Sequence, residues 1–388
     1  MNIPNSQNPP FSEYGIPIRN VWHMLLYAWN EAPLHELRGW ALQDAFVEEA
    51  PTLDMLLASA LIRLMQQRLR IGLGRDYVRE AGTLRGLRGR IDFAQTIKQH
   101  ALERGQLICE FEGYRANSLK NQIIRSTLAR LIKVGRFGPE PTHVREIQQK
   151  LRRLLRDLDG IDFVELTPEL IRRQLYTRTG HDHDYRLMLS ICDLIVQRQM
   201  PTDSEGYTTG IVPSIDRELL VLYRVYERFV ANFYRFHLRQ DWEISAQKRL
   251  EWHTNEANER LPLMIPDIVL QEKRSERMIV LDTKFTAQSL VENQWGKAIF
   301  DSSHLYQLYA YLKSQEHVSE AHRKAVGILL YPAVHNRFSE KVRLQDQVLR
   351  LESVDLAAPW QEVEAQLMEL ITLTPTAVDA SPPRNTTH

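Results

Sequence analysis

Cysteine is nearly missing from this sequence: there are two, Cys109 and Cys192, in 388 residues. They cannot build a disulfide framework or a cysteine-rich zinc site, and they read as ordinary reduced thiols. Also missing is any run of about 18 apolar residues, and the polar, proline-containing start MNIPNSQNPPFSEYG lacks the basic and apolar regions of a secretory signal. A cytoplasmic protein with no membrane association is expected. Net charge is absent as well, because 49 Lys and Arg balance 49 Asp and Glu. Attraction of the whole molecule to nucleic acid or an anionic membrane is thereby removed, and only local patches can supply it. Finally, the phosphate-cradling pattern G-x-x-x-x-G-K-S/T does not occur, so any nucleotide-driven work must come from another chain.

What is present suits a large soluble fold. Hydrophobic residues make up 43% and charged residues 25%, and a chain of this length is expected to form two or three domains. Apolar residues at helical spacing predict a buried or docking helix over residues 16–30, followed by helices over 52–71, 185–199 and 217–240 and a pair within 117–158. Residues 76–111 carry short β-like pieces and the basic stretch Arg85-Gly86-Leu87-Arg88-Gly89-Arg90, whose glycines suggest a tight loop presenting three arginines. A polar connection at 202–213 predicts a domain boundary. Beyond it the pattern gives strands near 242–252, 263–271 and 278–285, a helix over 291–315, and strands at 326–331 and 341–354. The fold class is therefore α/β (α+β), with a central mixed sheet flanked by helices in the C-terminal part. The proline-bearing tail over 374–388 is expected to be disordered.

The chemistry concentrates in two apolar strands. If the hairpin is symmetric about Arg274 and Ser275, Leu270 pairs with Ile279, Ile268 with Leu281, and Asp267 faces Asp282 at about 5 Å between Cα atoms. Lys284 joins them, because residues two apart in a strand share a face. Two acids and a lysine in an apolar sheet cost several kcal/mol unless something compensates. A Mg²⁺ ion between Asp267 and Asp282 would do so, and Lys284 would hold the attacking water or the reacting phosphate.

A D-x-K triplet alone has almost no weight, since about one is expected by chance in a chain of this composition. The opposed Asp267 and the apolar strand make the conjunction more specific. On the next helix, Gln307 and Tyr311 lie one turn apart on the same face, suited to a phosphate or a single strand, although ordinary helix packing accounts for Tyr311 equally well. Glu227, set among Tyr223, Tyr226, Val230 and Tyr234, is a candidate third metal ligand, and Glu218 is another; for each, a solvated helical glutamate is the commoner explanation. His181-Asp182-His183-Asp184 is set aside, because adjacent residues rarely converge on one ion. Arg85, Arg88 and Arg90 would either touch nucleic acid, reach into a partner's nucleotide site, or form a solvated basic turn.

Pro266-Asp267 followed by Asp282-Thr283-Lys284 resembles the PD-(D/E)xK nuclease pattern, and Gln307-x-x-x-Tyr311 resembles the extra motif of its RecB-like branch. More narrowly, IPIRNVWHMLLYAW at 16–29, GRIDF at 89–93, NQIIRSTL at 121–128 and LYQL at 305–308 together resemble the McrC family, the nuclease subunits of McrBC modified-cytosine restriction systems. The resemblance runs from about residue 16 to about 360. It implies a C-terminal nuclease domain over 206–365 using Mg²⁺, with Asp267, Asp282 and Lys284 as its triad. It also implies an N-terminal region over 16–115 that enters and stimulates a ring of the AAA+ GTPase McrB, with a helical connection over 116–205. The partners implied are that GTPase and double-stranded, methylated DNA, in a GTP-dependent system of anti-phage defence. Two other readings are kept: a noncatalytic adaptor that activates an NTPase, and a RecB-like repair nuclease acting alone.

Overall fold

The computed structural model describes residues 15–29, 50–176, 183–199, 217–254, 260–285, 290–292 and 298–372. They belong to two compact units, one made of Met1–Ala50 with Thr209–His388 and the other of Pro51–Thr208. Among the described residues, no helix is long and apolar enough to cross a membrane. The expected boundary at 202–213 and the tail over 374–388 lie outside the described residues.

Helix α1 (Ile18–Trp29) is apolar on almost every side, with Val21, Trp22, Met24, Leu25 and Leu26 all buried, and a helix of that kind must be enclosed. The enclosure comes from two later parts of the sequence: Tyr27 packs on Phe229 and Phe233, Asn232 Nδ2 donates to Tyr27 O at 3.0 Å, and residues 356–364 close the other side. Asn20 Nδ2 donates to Leu356 O at 2.7 Å and Ala358 O at 2.8 Å, and Tyr27 OH donates to Glu364 Oε1 at 2.8 Å. The helix expected at the head of a 16–115 region thus shares its unit with the C-terminal residues.

The 51–208 unit opens with α2 (Leu53–Ile71), where Thr52 Oγ1 accepts from Met55 N at 3.2 Å as a side-chain cap. Strands β1 (Asp76–Leu84) and β2 (Arg90–Ile91) flank β3 (Leu107–Arg115) in one antiparallel sheet, with the short α3 (Phe93–Lys98) between β2 and β3. Gly89 ends the arginine loop at φ +69°, and a Cβ there would meet Glu110 O at 2.2 Å, so only glycine fits this close backbone approach. Helices α4 (Leu119–Val134), α5 (Pro141–Asp157), α6 (Pro168–Tyr176) and α7 (His183–Gln199) complete the unit. A buried network crosses the division expected at 115/116: Tyr185 OH donates to Asn121 Oδ1 at 2.7 Å and accepts from Gly74 N at 2.8 Å, while Asn121 Nδ2 reaches Gly74 O at 2.9 Å. Residues on both sides of 115 are therefore held in one core. Both cysteines are free and buried, and burial pushes the Cys192 thiol up to about 12.

The other unit continues with α8 (Arg217–Leu238), whose Tyr226, Phe229 and Phe233 are fully buried. Then come β4 (Trp242–Ala246), β5 (Ile268–Glu272), β6 (Met278–Thr283), β7 (Leu290–Glu292), β8 (Ala298–Phe300), α9 (Ser302–Gln315), α10 (Glu320–Arg323), β9 (Val326–Ala333), β10 (Ser339–Leu344), β11 (Gln347–Asp355) and α11 (Trp360–Thr372). The main sheet has strand order β10-β11-β9-β6-β5-β4. Its β4–β5–β6 edge is an antiparallel meander, whereas β6, β9 and β11 run parallel, with α9 in the crossover from β6 to β9. Strand β6 is buried throughout, as befits a central strand covered on both faces.

Met278 and Val280 share one face with Leu329, Leu349 and Leu351, and α9 covers that face through Leu308, Tyr311 and Leu312. Gly327 permits the close approach, since a Cβ there would stand 2.9 Å from both Leu308 and Leu312. The helix expected over 291–315 is shorter than its pattern suggests: β7 and β8 pair antiparallel at its beginning, and the helix starts only after Asp301, whose Oδ1 accepts from Ser303 N at 2.8 Å. The single strand expected at 242–252 is also interrupted, ending at Ala246 before an isolated bridge from Leu250 to Met264.

Candidate active site

The hairpin register is the symmetric one: Ile268 pairs with Leu281, Val269 with Val280, Leu270 with Ile279 and Gln271 with Met278. Asp267 and Asp282 come next, just beyond the last ladder pair. Asp267 turns its carboxylate onto the opposite strand, where Oδ2 accepts from Thr283 N at 2.7 Å and Thr283 Oγ1 at 2.6 Å. Asp282 points to the α9 side, only 2% exposed, and its Oδ2 stands 2.5 Å from Lys284 Nζ.

From that lysine a chain of contacts runs across the site. Lys284 Nζ donates to Gln307 Oε1 at 2.8 Å, Gln307 Nε2 donates to Tyr311 OH at 2.7 Å, and Tyr311 OH donates to Ile265 O at 3.2 Å. Gln307 and Tyr311 therefore do more than pack α9: they fix the lysine ammonium and tie the helix to the segment leading into Asp267. On the other side, Glu227 of α8 accepts from Gln247 Nε2 at 2.6 Å, and Gln247 N donates to Asp267 O at 2.9 Å. Gln247 does this with φ +50°, a left-handed conformation that costs about 1 kcal/mol or more for a residue with a Cβ and is often found at functional sites.

The electrostatics follow from three acids facing one cation. Burial, then Asp267, pushes the Asp282 carboxyl up to about 6 against the opposing pull of Lys284. Asp267 is raised by burial, with the Thr283 hydrogen bonds and Lys284 working against the shift. Glu227 is raised by burial and then by Asp267. The phenols around them respond in the same sense: Tyr223 is raised by burial, then by Asp267, Glu227 and Asp282, and Tyr311 by burial, then by Asp282 and Asp267.

All six residues expected at the site, Glu227, Asp267, Asp282, Lys284, Gln307 and Tyr311, lie in this one neighbourhood. Glu218 is on the first turn of α8, and its side chain lies outside the described residues, as do His181 and Asp182. The sequence reading missed Thr283, Gln247, Tyr223 and His304. Tyr223 is four residues before Glu227 and His304 three before Gln307, so helical periodicity was the available signal. His304 Nδ1 lies 3.1 Å from Tyr331 OH, and its imidazole is held below the usual range by burial and then by Lys284. Gln247 gave no signal, because its role depends on a bend.

Among the described residues, no three His, Cys, Asp or Glu side chains are preassembled around a common point. The chemistry of the donor set nevertheless fits a hard divalent cation. Asp282 is a buried and Asp267 a half-buried oxygen donor, their mutual charge is unfavourable, Glu227 adds to it, and Lys284 pairs with only one of the three. Arg85, Arg88 and Arg90 lie in the other unit, all exposed, the first two on the β1–β2 connection and Arg90 at the start of β2, with Arg88 stacked over the Phe111 ring at 4.3 Å.

The family model described as McrBC 5-methylcytosine restriction system component matches residues 13–332. A protein of Escherichia coli K12, the type IV methyl-directed restriction enzyme EcoKMcrBC, is 29% identical over 363 residues, covering 92% of this chain and 97% of the relative. The fold is shared with a chain in a structure of Thermococcus gammatolerans McrB AAA+ hexamers with bound McrC, at TM-score 0.53 and 16% identity over 92% of this chain and 76% of that one. With the family match spanning most of its length and the site above, the chain belongs to the McrBC family of restriction system components, as a member of the McrC type.

Proposed function

We propose that this chain is the DNA-cutting subunit of a methyl-directed restriction system, a PD-(D/E)xK endonuclease that works with an McrB-type AAA+ GTPase and requires Mg²⁺. The observation that carries the reading is the pair Asp267 and Asp282 with Lys284 at the open end of an otherwise apolar hairpin. A structural sheet has no need of three ionised groups there, and their cost is about several kcal/mol if nothing binds them.

In this reading Asp267 and Asp282 hold the cation, with Glu227 as the third carboxylate on α8. A divalent ion bound there would offset the acids and place positive charge at the scissile phosphate. Lys284, fixed by Gln307 at 2.8 Å, presents its ammonium where the phosphate becomes more negative. Tyr311 keeps Gln307 from rotating away, and Thr283 holds Asp267 in place through two hydrogen bonds. Arg85, Arg88 and Arg90 are assigned to contact with the GTPase partner, in the unit that does not contain the acids.

The test is cleavage of methylated and unmethylated plasmid by this protein with an McrB-type GTPase, GTP and Mg²⁺, comparing wild type with Asp282→Ala. Cutting confined to methylated DNA and lost in the variant is the expected result. Stimulated GTP hydrolysis without any cutting by wild type would instead identify an adaptor. Cutting that needs no partner would point to a stand-alone nuclease.

A further inference from the structure

With no net charge on the chain, a cation-rich face must be found element by element. Helix α5 supplies one. Its Ile147, Leu151 and Leu154 are buried, while Arg145, Glu146, Lys150, Arg152, Arg153, Arg156 and Asp157 are exposed, five cations against two acids. At 100° per residue, Arg145, Arg152 and Arg156 fall within about 40° of one another, centred about 150° from the buried stripe. The three guanidinium groups thus stand along one line pointing away from the core, over a rise of about 16 Å, roughly half a turn of B-form DNA.

Ordinary solvation of a helix does not require this arrangement. A solubilising face mixes signs at i and i+4, as Glu146 with Lys150 and Arg153 with Asp157 do on the flank. The central row instead sets Arg152 against Arg156 at i, i+4, a repulsion of about 0.2–0.5 kcal/mol, and Arg145 has glutamines at i+3 and i+4. Among the described residues none of the three arginines forms an ion pair. A row of unpaired guanidinium forks fits the phosphate oxygens of a nucleic acid backbone.

We propose that Arg145, Arg152 and Arg156 form a contact surface for the phosphate backbone of duplex DNA, independent of base sequence; the choice of DNA as ligand rests on the proposed nuclease function. Such a surface gives salt-sensitive affinity without base readout. It supplies the local patch that a neutral chain needs, and it leaves recognition of the modified base to other elements.

The test is binding of an unmethylated duplex by the full-length protein, with and without its GTPase, from about 50 to 200 mM salt. The variant Arg145→Gln/Arg152→Gln/Arg156→Gln keeps good helix formers at exposed positions, and its thermal unfolding serves as the folding control. The expected result is an affinity loss of about tenfold or more at low salt and a logarithmic salt slope shallower by about three, with GTPase stimulation unchanged. The corresponding triple lysine variant should restore both affinity and slope. Unchanged affinity and slope in the glutamine variant would overturn the proposal. So would retained DNA binding with lost GTPase stimulation, which would assign the row to the protein partner. If wild type fails to cut while the glutamine variant still loses DNA affinity, the nuclease reading falls and the DNA surface stands.

Discussion

Asp282→Asn should make the protein more stable and inactive at the same time, and the stability change should depend on pH. An aspartate ordinarily titrates near 3.8, and Asp282 is pushed up to about 6 by burial and by Asp267. Below about pH 4 the carboxyl is protonated in both folded and unfolded chains, so it contributes no difference. Between there and about pH 6 the unfolded chain releases the proton first, and the folded state loses ground; above about pH 6 the penalty is complete. The shift, 6 − 3.8 or about two units, corresponds to about 3 kcal/mol. Asparagine has the same shape without the charge, but Lys284 then loses its carboxylate ion pair and keeps Gln307 and the more distant Asp267. A net gain of about 1–2 kcal/mol is expected at about pH 8, vanishing near pH 4.

Urea unfolding in chelator, followed by tryptophan fluorescence, all seven tryptophans belonging to the unit that holds the acids, would measure it. Added Mg²⁺ should stabilise wild type by about 2.7 kcal/mol at a hundred times its dissociation constant and leave the variant almost unmoved. A variant less stable than wild type at pH 8 would refute the reasoning, because the Lys284 pair would then outweigh the burial of charge. Lost cleavage beside gained stability would mark these acids as retained for function at a structural cost.

Three further outcomes are expected. Lys284→Ala should abolish cleavage while stimulation of the partner's GTP hydrolysis persists; loss of both in a plasmid and GTPase assay would indicate misfolding instead. Alanine at Arg85, Arg88 and Arg90 together should lower GTPase stimulation by about tenfold or more, and unchanged stimulation would remove that loop from the partner interface. Asn20→Ala should cost about 2–4 kcal/mol in the unit that holds the acids, since Leu356 O and Ala358 O lose their donor; an unaltered urea midpoint would show that water replaces it.

The candidate site was legible in the sequence because its geometry is local. A seven-residue charged segment between two apolar runs sets the hairpin register, and the register alone brings Asp267 to Asp282. Gln307 and Tyr311 followed from helical periodicity. The fold was less legible wherever partners are remote or the chain bends. Nothing near Asn20 indicates that its acceptors lie at Leu356 and Ala358. The helical pattern runs back to residue 291, yet Leu290–Glu292 and Ala298–Phe300 pair as β7 and β8. Gln247 depends on a positive φ at a residue that rarely adopts one. Tyr185, Asn121 and Gly74 are distant in sequence but share one buried network, which crosses the division at 115/116 that the family resemblance implies.

The placement of α1 has a consequence for the order of events during synthesis. The 51–208 segment has its core within itself, whereas α1 remains without its acceptors until residues 356 and 358 have left the ribosome. At about 5–20 residues per second the wait from α1 is tens of seconds, during which the helix has only α8, through Phe229, Asn232 and Phe233, as a native partner. A chain interrupted before Leu356 lacks the acceptors of Asn20, so premature termination leaves the unit bearing the acids unfinished. Closure of that unit around α1 therefore waits for the segment that carries Leu356 and Ala358.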